Sequence, residues 1–339
     1  MLSNNLINKL IRPNLRLGVF TVSCASLVSG SCHDTLPGKT NIILIMADDL
    51  GYGDIGCFGN TEIKTPVLDK MASEGLKFTS YYSNGAVSTP TRISLMTGNY
   101  QQRAGLEGVI YAQMNKRNEG GISGKEITIA EIFKENGYRT GIFGKWHLGH
   151  KPEHNPIYHG FNEFYGYVSG NVDYISHRDG IGIYDWWHNA DSVYEEGYVT
   201  DLITARALAF MQQNKDRPFF LYLPHEAVHA PYQGRNDKAD RLPGNKWDPF
   251  GSRVDKKEAY KEMIEIMDEN IGKIFKKVKE LDLMNNTLIF FCSDNGALEL
   301  GNNGGLKGYK TSLWEGGIRV PAIAWKPGAI SPGAIFSIG

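Results

Sequence analysis

Two pairs of oxygen-bearing side chains are the first candidates for chemistry. Asp48-Asp49 follows the apolar run 41–46, and Asp294-Asn295 follows the apolar run 288–292. Bringing three carboxylates together is prohibitive unless protons or a cation neutralise them. Oxygen ligands without His or Cys favour a hard cation, and carboxylates with an amide suit calcium better than zinc. Taken singly, the first pair also reads as a turn and the second as an Asx-type cap. Their matching positions after two buried strands favour a shared site.

A hydroxyl and an arginine come next, in S-N-G-A-V-S-T-P-T-R-I-S-L-M-T-G over residues 83–98. Ser88 and Thr89 are N-cap types, Pro90 suits the first helical position and Gly98 closes the segment. Ser88 is thus expected at the N-terminus of a short helix, among unpaired N–H groups that attract anions. Arg92, four residues on, returns its guanidinium to the same end. The set suits a tetrahedral oxyanion, and it equally fits a well-capped surface helix.

Lys145 and His147 sit in G-K-W-H-L-G, where extended alternation points both to one side and Trp146 to the other. His229 in H-E-A-V-H-A-P and Lys307 in G-G-L-K-G-Y-K are further candidates, although isolated Lys and His are ordinarily solvated surface groups. His225 and His229 are four apart, as zinc ligands can be, but no third ligand is local and Pro224 and Pro231 oppose a helix.

The elements that must position these groups alternate. Strands are expected at 41–46, 76–82, 138–143, 219–223 and 288–292, and helices at 65–75, 128–136 and 256–283. The last helix is the clearest, with Tyr260, Met263, Ile264, Met267, Ile271, Ile274, Phe275, Val278 and Leu281 at helical spacing. Such alternation implies an α/β fold, a mostly parallel sheet sandwiched by helices. Ligands then bind beyond the carboxyl ends of the strands, where the polar motifs fall.

With 339 residues, 41% hydrophobic and 22% charged, the chain supports one large α/β domain with at most a small appendage. A net charge of −1 argues against nucleic acid and anionic membranes as partners. Lys9, Arg12 and Arg16 precede the apolar run 17–28, too short to span a bilayer and suited to an export signal. Small residues before Cys32 resemble a lipoprotein cleavage site, so Cys32 is a candidate lipid anchor, with soluble release as the alternative. The expected domains are an export signal at 1–32, a linker at 33–40, a catalytic domain at 41–332 and a truncated or divergent end at 333–339. Cys24 and Cys32 belong to the leader; Cys57 and Cys292 read as buried free thiols, with a disulfide between them as the alternative. Residues 237–254 read as an exposed loop, and the aromatic cluster over 158–198 as core or as a sugar-stacking surface.

The motifs N-I-I-L-I-M-A-D-D-L-G-Y-G-D, S-T-P-T-R, G-Y-R-T-G-I-F-G-K-W-H-L-G, S-D-N-G and W-E-G-G-I-R-V-P occur in this order. Together they resemble type I, formylglycine-dependent sulfatases of the alkaline phosphatase superfamily, over residues 41–332. Ser88 occupies the position converted to formylglycine, and serine there is similar to bacterial sulfatases matured by a radical enzyme. The resemblance implies Ca2+ held by Asp48, Asp49, Asp294, Asn295 and the group at Ser88. It also implies a sulfate pocket lined by Arg92, Lys145, His147, His229 and Lys307, with His225 as a supporting or substrate contact. Arg92, Lys145, Lys307 and a protonated histidine would then offset the negative charge of the site.

The implied reaction is hydrolysis of a sulfate monoester. A hydrated aldehyde at position 88 attacks sulfur in line, His229 with Lys307 protonates the leaving oxygen, and His147 accepts the proton whose loss expels sulfate. The segment 159–189 resembles arylsulfatases and N-acetylgalactosamine-6-sulfatases, so a sulfated carbohydrate or aryl sulfate is the expected substrate. His177, Arg178, Asp179, Trp186 and Trp187 are candidate sugar contacts, and the expected setting is periplasmic or outer-membrane-associated. Family members normally continue into a smaller C-terminal domain, so the resemblance leads one to expect a truncated or divergent end here. Two alternatives stand: a metal-dependent phosphatase or phosphodiesterase using Ser88 directly, and a non-catalytic glycan-binding protein.

Overall fold

The computed structural model describes residues 38–112 and 120–337. The expectations for the leader, including Cys24 and the Cys32 anchor, lie outside the described residues. None of the helices described is long and apolar enough to cross a membrane.

Ten strands form one sheet: β1 (Asn41–Ala47), β2 (Leu76–Phe78), β3 (Arg139–Lys145), β4 (Glu163–Tyr167), β5 (Trp187–His188), β6 (Asp191–Ser192), β7 (Phe219–Pro224), β8 (Thr287–Ser293), β9 (Ala322–Trp325) and β10 (Ala334–Phe336). Their order is β10-β2-β9-β8-β1-β7-β3-β4-β5-β6. The centre, β8-β1-β7-β3-β4, is parallel throughout, and β9, β5 and β6 join antiparallel on the two sides.

The central strand β1 explains the layering. Ile43, Ile45 and Ala47 face one apolar cluster while Leu44 and Met46 face another, the period-two alternation of a strand buried on both faces. The first cluster is covered by α1 (Pro66–Glu74), α4 (Val199–Gln213) and α5 (Lys256–Glu280). On the opposite face lie α2 (Ser88–Thr97) and α3 (Ile129–Glu135), which bring Ile93, Met96 and Ala130. A short α6 (Glu315–Ile318) precedes β9. The α3 start carries a reciprocal capping box between Thr128 and Glu131, which satisfies two otherwise unpaired N–H groups.

Several expected bounds shift. The strand expected over 76–82 ends at Phe78, and Tyr82 makes only an isolated bridge to Arg319. Five strands, β4, β5, β6, β9 and β10, and α4 were not legible. The buried face of α4 does recur at helical spacing, at Val199, Ile203, Ala207, Phe210 and Met211. It includes Thr200 and Thr204, however, and Leu202, Ala205, Leu208 and Ala209 lie on the more exposed sides, so the apolar stripe is blurred in the sequence. Cys57 and Cys292 are both free thiols, and burial pushes each up to about 12.

The loop at 237–254 is pinned to the domain by Asp173. Its Oδ2 accepts from the backbone N–H of Asp240 at 2.7 Å and Arg241 at 2.9 Å, and its Oδ1 from Ile175 and Ser176. Burial opposes the charge, yet these N–H groups hold the carboxyl below its ordinary 3.8. Asp173→Ala strands the donors and is expected to cost about 2–4 kcal/mol. Because the folded pKa is depressed, the carboxylate's contribution is present above the unfolded pKa and is lost as pH falls through the folded one. Urea titrations should therefore show a large gap between parent and variant at pH 7 that shrinks in acid. Equal midpoints at pH 7 would remove Asp173 as the anchor.

Candidate active site

The site lies beyond the carboxyl ends of β1, β8, β3 and β7, where helix α2 also begins. Val87 occupies the N-cap of α2, and Ser88 is the first helical residue. The expected cap interaction is replaced. The Ser88 hydroxyl donates to Asp294 Oδ2 at 2.5 Å and accepts from Arg92 Nε at 3.0 Å. A charged acceptor and a charged donor out-compete backbone N–H groups for the same oxygen. Arg92 returns to Ser88 by one helical turn, and its Nη2 bonds Asp294 Oδ2 at 2.9 Å.

Carboxylate oxygens of Asp48, Asp49 and Asp294 lie within 4.8 Å of one another, all buried. Each carboxylate has a close cationic partner, and Arg92 Nη2 also lies 3.7 Å from Asp48 Oδ1. Lys145 Nζ is 2.5 Å from Asp48 Oδ2, Lys310 Nζ is 2.7 Å from Asp49 Oδ2, and Arg92 serves Asp294. Asn295 Nδ2 donates to Asp49 Oδ1 at 2.7 Å, while its buried Oδ1 has no protein partner. Three carboxylates and an orphaned amide oxygen fit a hard cation, and the cluster contains no His or Cys.

Lys307 does not join this set. Its ammonium stands 3.7 Å from the centre of the Trp314 ring, on the surface. The lysine this loop brings to the pocket is Lys310, three residues on. Its backbone N–H bonds Ala297 O, and Thr311 N–H bonds Ala86 O, so this stretch lies between the Asp294 turn and the start of α2. Burial works against the Lys310 charge, but Asp49 and Asp48 raise its pKa overall. Two lysines three residues apart in an irregular loop gave no periodicity by which to choose between them.

Lys145 and His147 do face the same cavity, and Trp146 is buried in the second apolar cluster, bonded to His154 O. His147 has a positive φ of 59°, and its Nε2 donates to Ile110 O at 2.9 Å, which leaves the Nδ1 lone pair without a protein partner. His229 donates from Nδ1 to Ala230 O at 2.7 Å, and its Nε2 is 3.7 Å from Asp49 Oδ2. Burial, aided by Lys310, lowers the His229 pKa to about 3, and burial with Lys145 lowers His147 well below its usual value. The protonated histidine of the sequence-based charge balance is therefore corrected: both rings are neutral, and Lys310 carries the charge. His225 is fully buried, lowered to about 4 by desolvation, and lies outside the cavity lining.

The cavity has a volume of about 480 Å3, and its walls include Ile110, Tyr111, Gly170, Asn171, Ile181 and Thr311. Of the aromatic and polar residues expected to contact sugar, His177 stacks on Trp186 at 4.4 Å in the core, and Asp179 caps its own turn at Ile181 and Ile183. Arg178 bonds Gly182 O, and Trp187 bonds Asp185. Their structural roles bring Gly180 and Ile181 to the cavity instead. Asn171 is the polar wall residue that sequence reasoning passed over, since a single Asn in a Gly-Asn pair reads as turn chemistry.

The Sulfatase family profile matches residues 40–335. Mouse N-acetylgalactosamine-6-sulfatase is 36% identical over 328 residues, covering 88% of this chain and 59% of the relative. Human arylsulfatase A is 34% identical over 332 residues, covering 88% and 61%. A solved structure of Ps i-CgsB is 34% identical with a TM-score of 0.79, covering 88% of this chain and 68% of that one. The chain thus spans about 59% of the length of the mammalian N-acetylgalactosamine-6-sulfatases it matches.

Proposed function

This chain belongs to the sulfatase family, and from that premise we propose that it hydrolyses sulfate monoesters on sulfated glycans through the group at position 88. The observation that carries this reading is the position of the Ser88 oxygen. It meets Arg92 and Asp294 at the edge of a cavity whose wall also holds Lys145, His147, His229 and Lys310. Relatives support a saccharide substrate. One solved structure, 25% identical with a TM-score of 0.67, is described in complex with its substrate D-glucosamine-2-N,6-O-disulfate.

Asp48, Asp49, Asp294 and the orphaned Asn295 Oδ1 would hold calcium. A divalent cation and a formylglycine hydrate at position 88 would supply, respectively, charge neutralisation and a nucleophilic oxygen with a second hydroxyl for sulfate release. The chain's own residues do the rest. Arg92, Lys145 and Lys310 are fixed cations that balance the carboxylates, so a divalent ion makes the pocket cationic and suited to an anionic ester. Lys310, which flanks Asp49, is placed to give the leaving oxygen a proton, whereas the Nε2 of the neutral His229, 3.7 Å from the same carboxylate, carries none to give. The unpartnered Nδ1 of His147 is a lone pair fit to accept one. A cluster free of histidine separates this site from the zinc pair of a phosphatase. The basic and apolar leader supports export of the protein, with Cys32 as a lipid anchor.

The reading is tested by sulfate release from defined sulfated saccharides, with matched phosphate esters as controls. Lys310→Ala is expected to lower kcat/KM about 100-fold or more, whereas Lys307→Ala changes it little. Faster turnover of the phosphate esters would transfer the chain to the phosphatase alternative. A larger loss in the Lys307 variant would reverse the lysine assignment.

A further inference from the structure

The cavity is larger than a sulfate group requires; at about 480 Å3 it lies within the range of roughly 300–1,000 Å3 that accommodates a small organic ligand. The wall that would face the ring carrying the ester includes Asn171. Three independent contacts fix this residue. Arg241 Nη1 bonds Asn171 Oδ1 at 2.8 Å, Ser169 Oγ bonds Asn171 O at 3.0 Å, and the next backbone N–H, of Val172, bonds the buried Glu226 at 2.6 Å. Arg241 is itself buried and is delivered from the 237–254 loop by the Asp173 anchor.

Arginine has donors and no acceptor, so the carboxamide oxygen must be the atom that faces it. The NH2 group is thereby turned the other way, 3.4 Å from His229 Nδ1. That nitrogen cannot serve as its acceptor, because its hydrogen is committed to Ala230 O at 2.7 Å. The result is a preorganised donor on the cavity wall beside His229, with no strong protein acceptor. A donor held this way discriminates well, since a ligand lacking the matching oxygen leaves it unpaired.

We infer that Asn171 is a specificity-determining residue. It donates from its side-chain NH2 to an oxygen of the sugar ring that bears the sulfate, and Arg241 is the positioning residue that sets its orientation. The inference rests on the sulfatase reading above, and the test separates the two.

The parent, Asn171→Ala and Arg241→Gln would be compared on N-acetylgalactosamine 6-sulfate, galactose 6-sulfate, glucosamine 6-sulfate and 4-nitrophenyl sulfate. Both variants are expected to lower the ratio of kcat/KM for the best sugar sulfate to that for the aryl ester by about tenfold. Should Arg241→Gln fail to fold, Asn171→Ala alone decides. A fall on both substrates in proportion would mean a merely structural role and overturn the inference, as would a parent that prefers no sugar sulfate over the aryl ester. A parent inactive on every ester overturns the sulfatase reading. Equilibrium binding of the same sugars then decides the contact: weaker binding by the variant supports it, and equal affinity or no binding by the parent overturns it.

Discussion

Protein matured by a radical enzyme is expected to show, in the peptide spanning Ser88, the loss of two hydrogens and an aldehyde-reactive group. Protein made without that enzyme should retain serine and hydrolyse sulfate esters orders of magnitude more slowly. The physical reason is twofold. The Ser88 hydroxyl donates to the Asp294 carboxylate, but a serine oxygen is a weak nucleophile at neutral pH and the nearest histidines are held neutral by burial. More decisively, an ester formed on serine has no second hydroxyl from which sulfate could be expelled, so a first turnover would leave the site blocked. Mass spectrometry of the tryptic peptide and steady-state rates on the same preparations check both halves. Equal turnover by both preparations, with intact serine in each, would sink the mechanism. Ser88→Ala should be inactive under either condition.

Removal of divalent cations is expected to abolish turnover and calcium to restore it. The basis is the buried cluster of Asp48, Asp49 and Asp294 with the unpartnered Asn295 Oδ1. Asp294 is the most consequential member, since it also holds the Ser88 hydroxyl and the Arg92 guanidinium. Asp294→Ala is expected to reduce both calcium content and kcat/KM, the latter about 100-fold or more. A readout independent of catalysis is available. Calcium at about 100 times its Kd should stabilise the parent by roughly 2.7 kcal/mol, seen as a rise in Tm, and should do so far less in the variant. Full activity in a metal-free preparation, with no calcium-dependent rise in Tm, would remove the metal from the account.

The periodicities that reach the sequence are those of elements with a simple burial pattern. The run 41–46 is apolar because β1 is covered on both faces, and α5 shows its stripe because one face meets the core while Lys and Glu face water. Five strands, β4 and the short β5, β6, β9 and β10, escaped notice, as did α4. The strands are short or sit among glycines and turns, and in α4 buried threonines and outward-facing Leu and Ala blur the stripe, so neither pattern has a clear period to read.

For the site, the chain itself determined which chemical groups exist and where strands deliver them. Asp48, Asp49, Asp294 and Asn295 follow strand ends, Ser88 and Arg92 share one helical turn, and Lys145 with His147 shares one side of an extended segment. These placements depend on local geometry, which short spacings encode. Tertiary structure alone decided the rest, because it depends on contacts between segments far apart in the chain. It put Lys310 rather than Lys307 beside Asp49, through backbone bonds to Ala297 and Ala86. Burial among those cations made His147 and His229 neutral. And it carried Arg241 from a distant loop to turn Asn171 into the cavity, since the orientation of an amide is set by the donor it meets and leaves no trace in the spacing of residues.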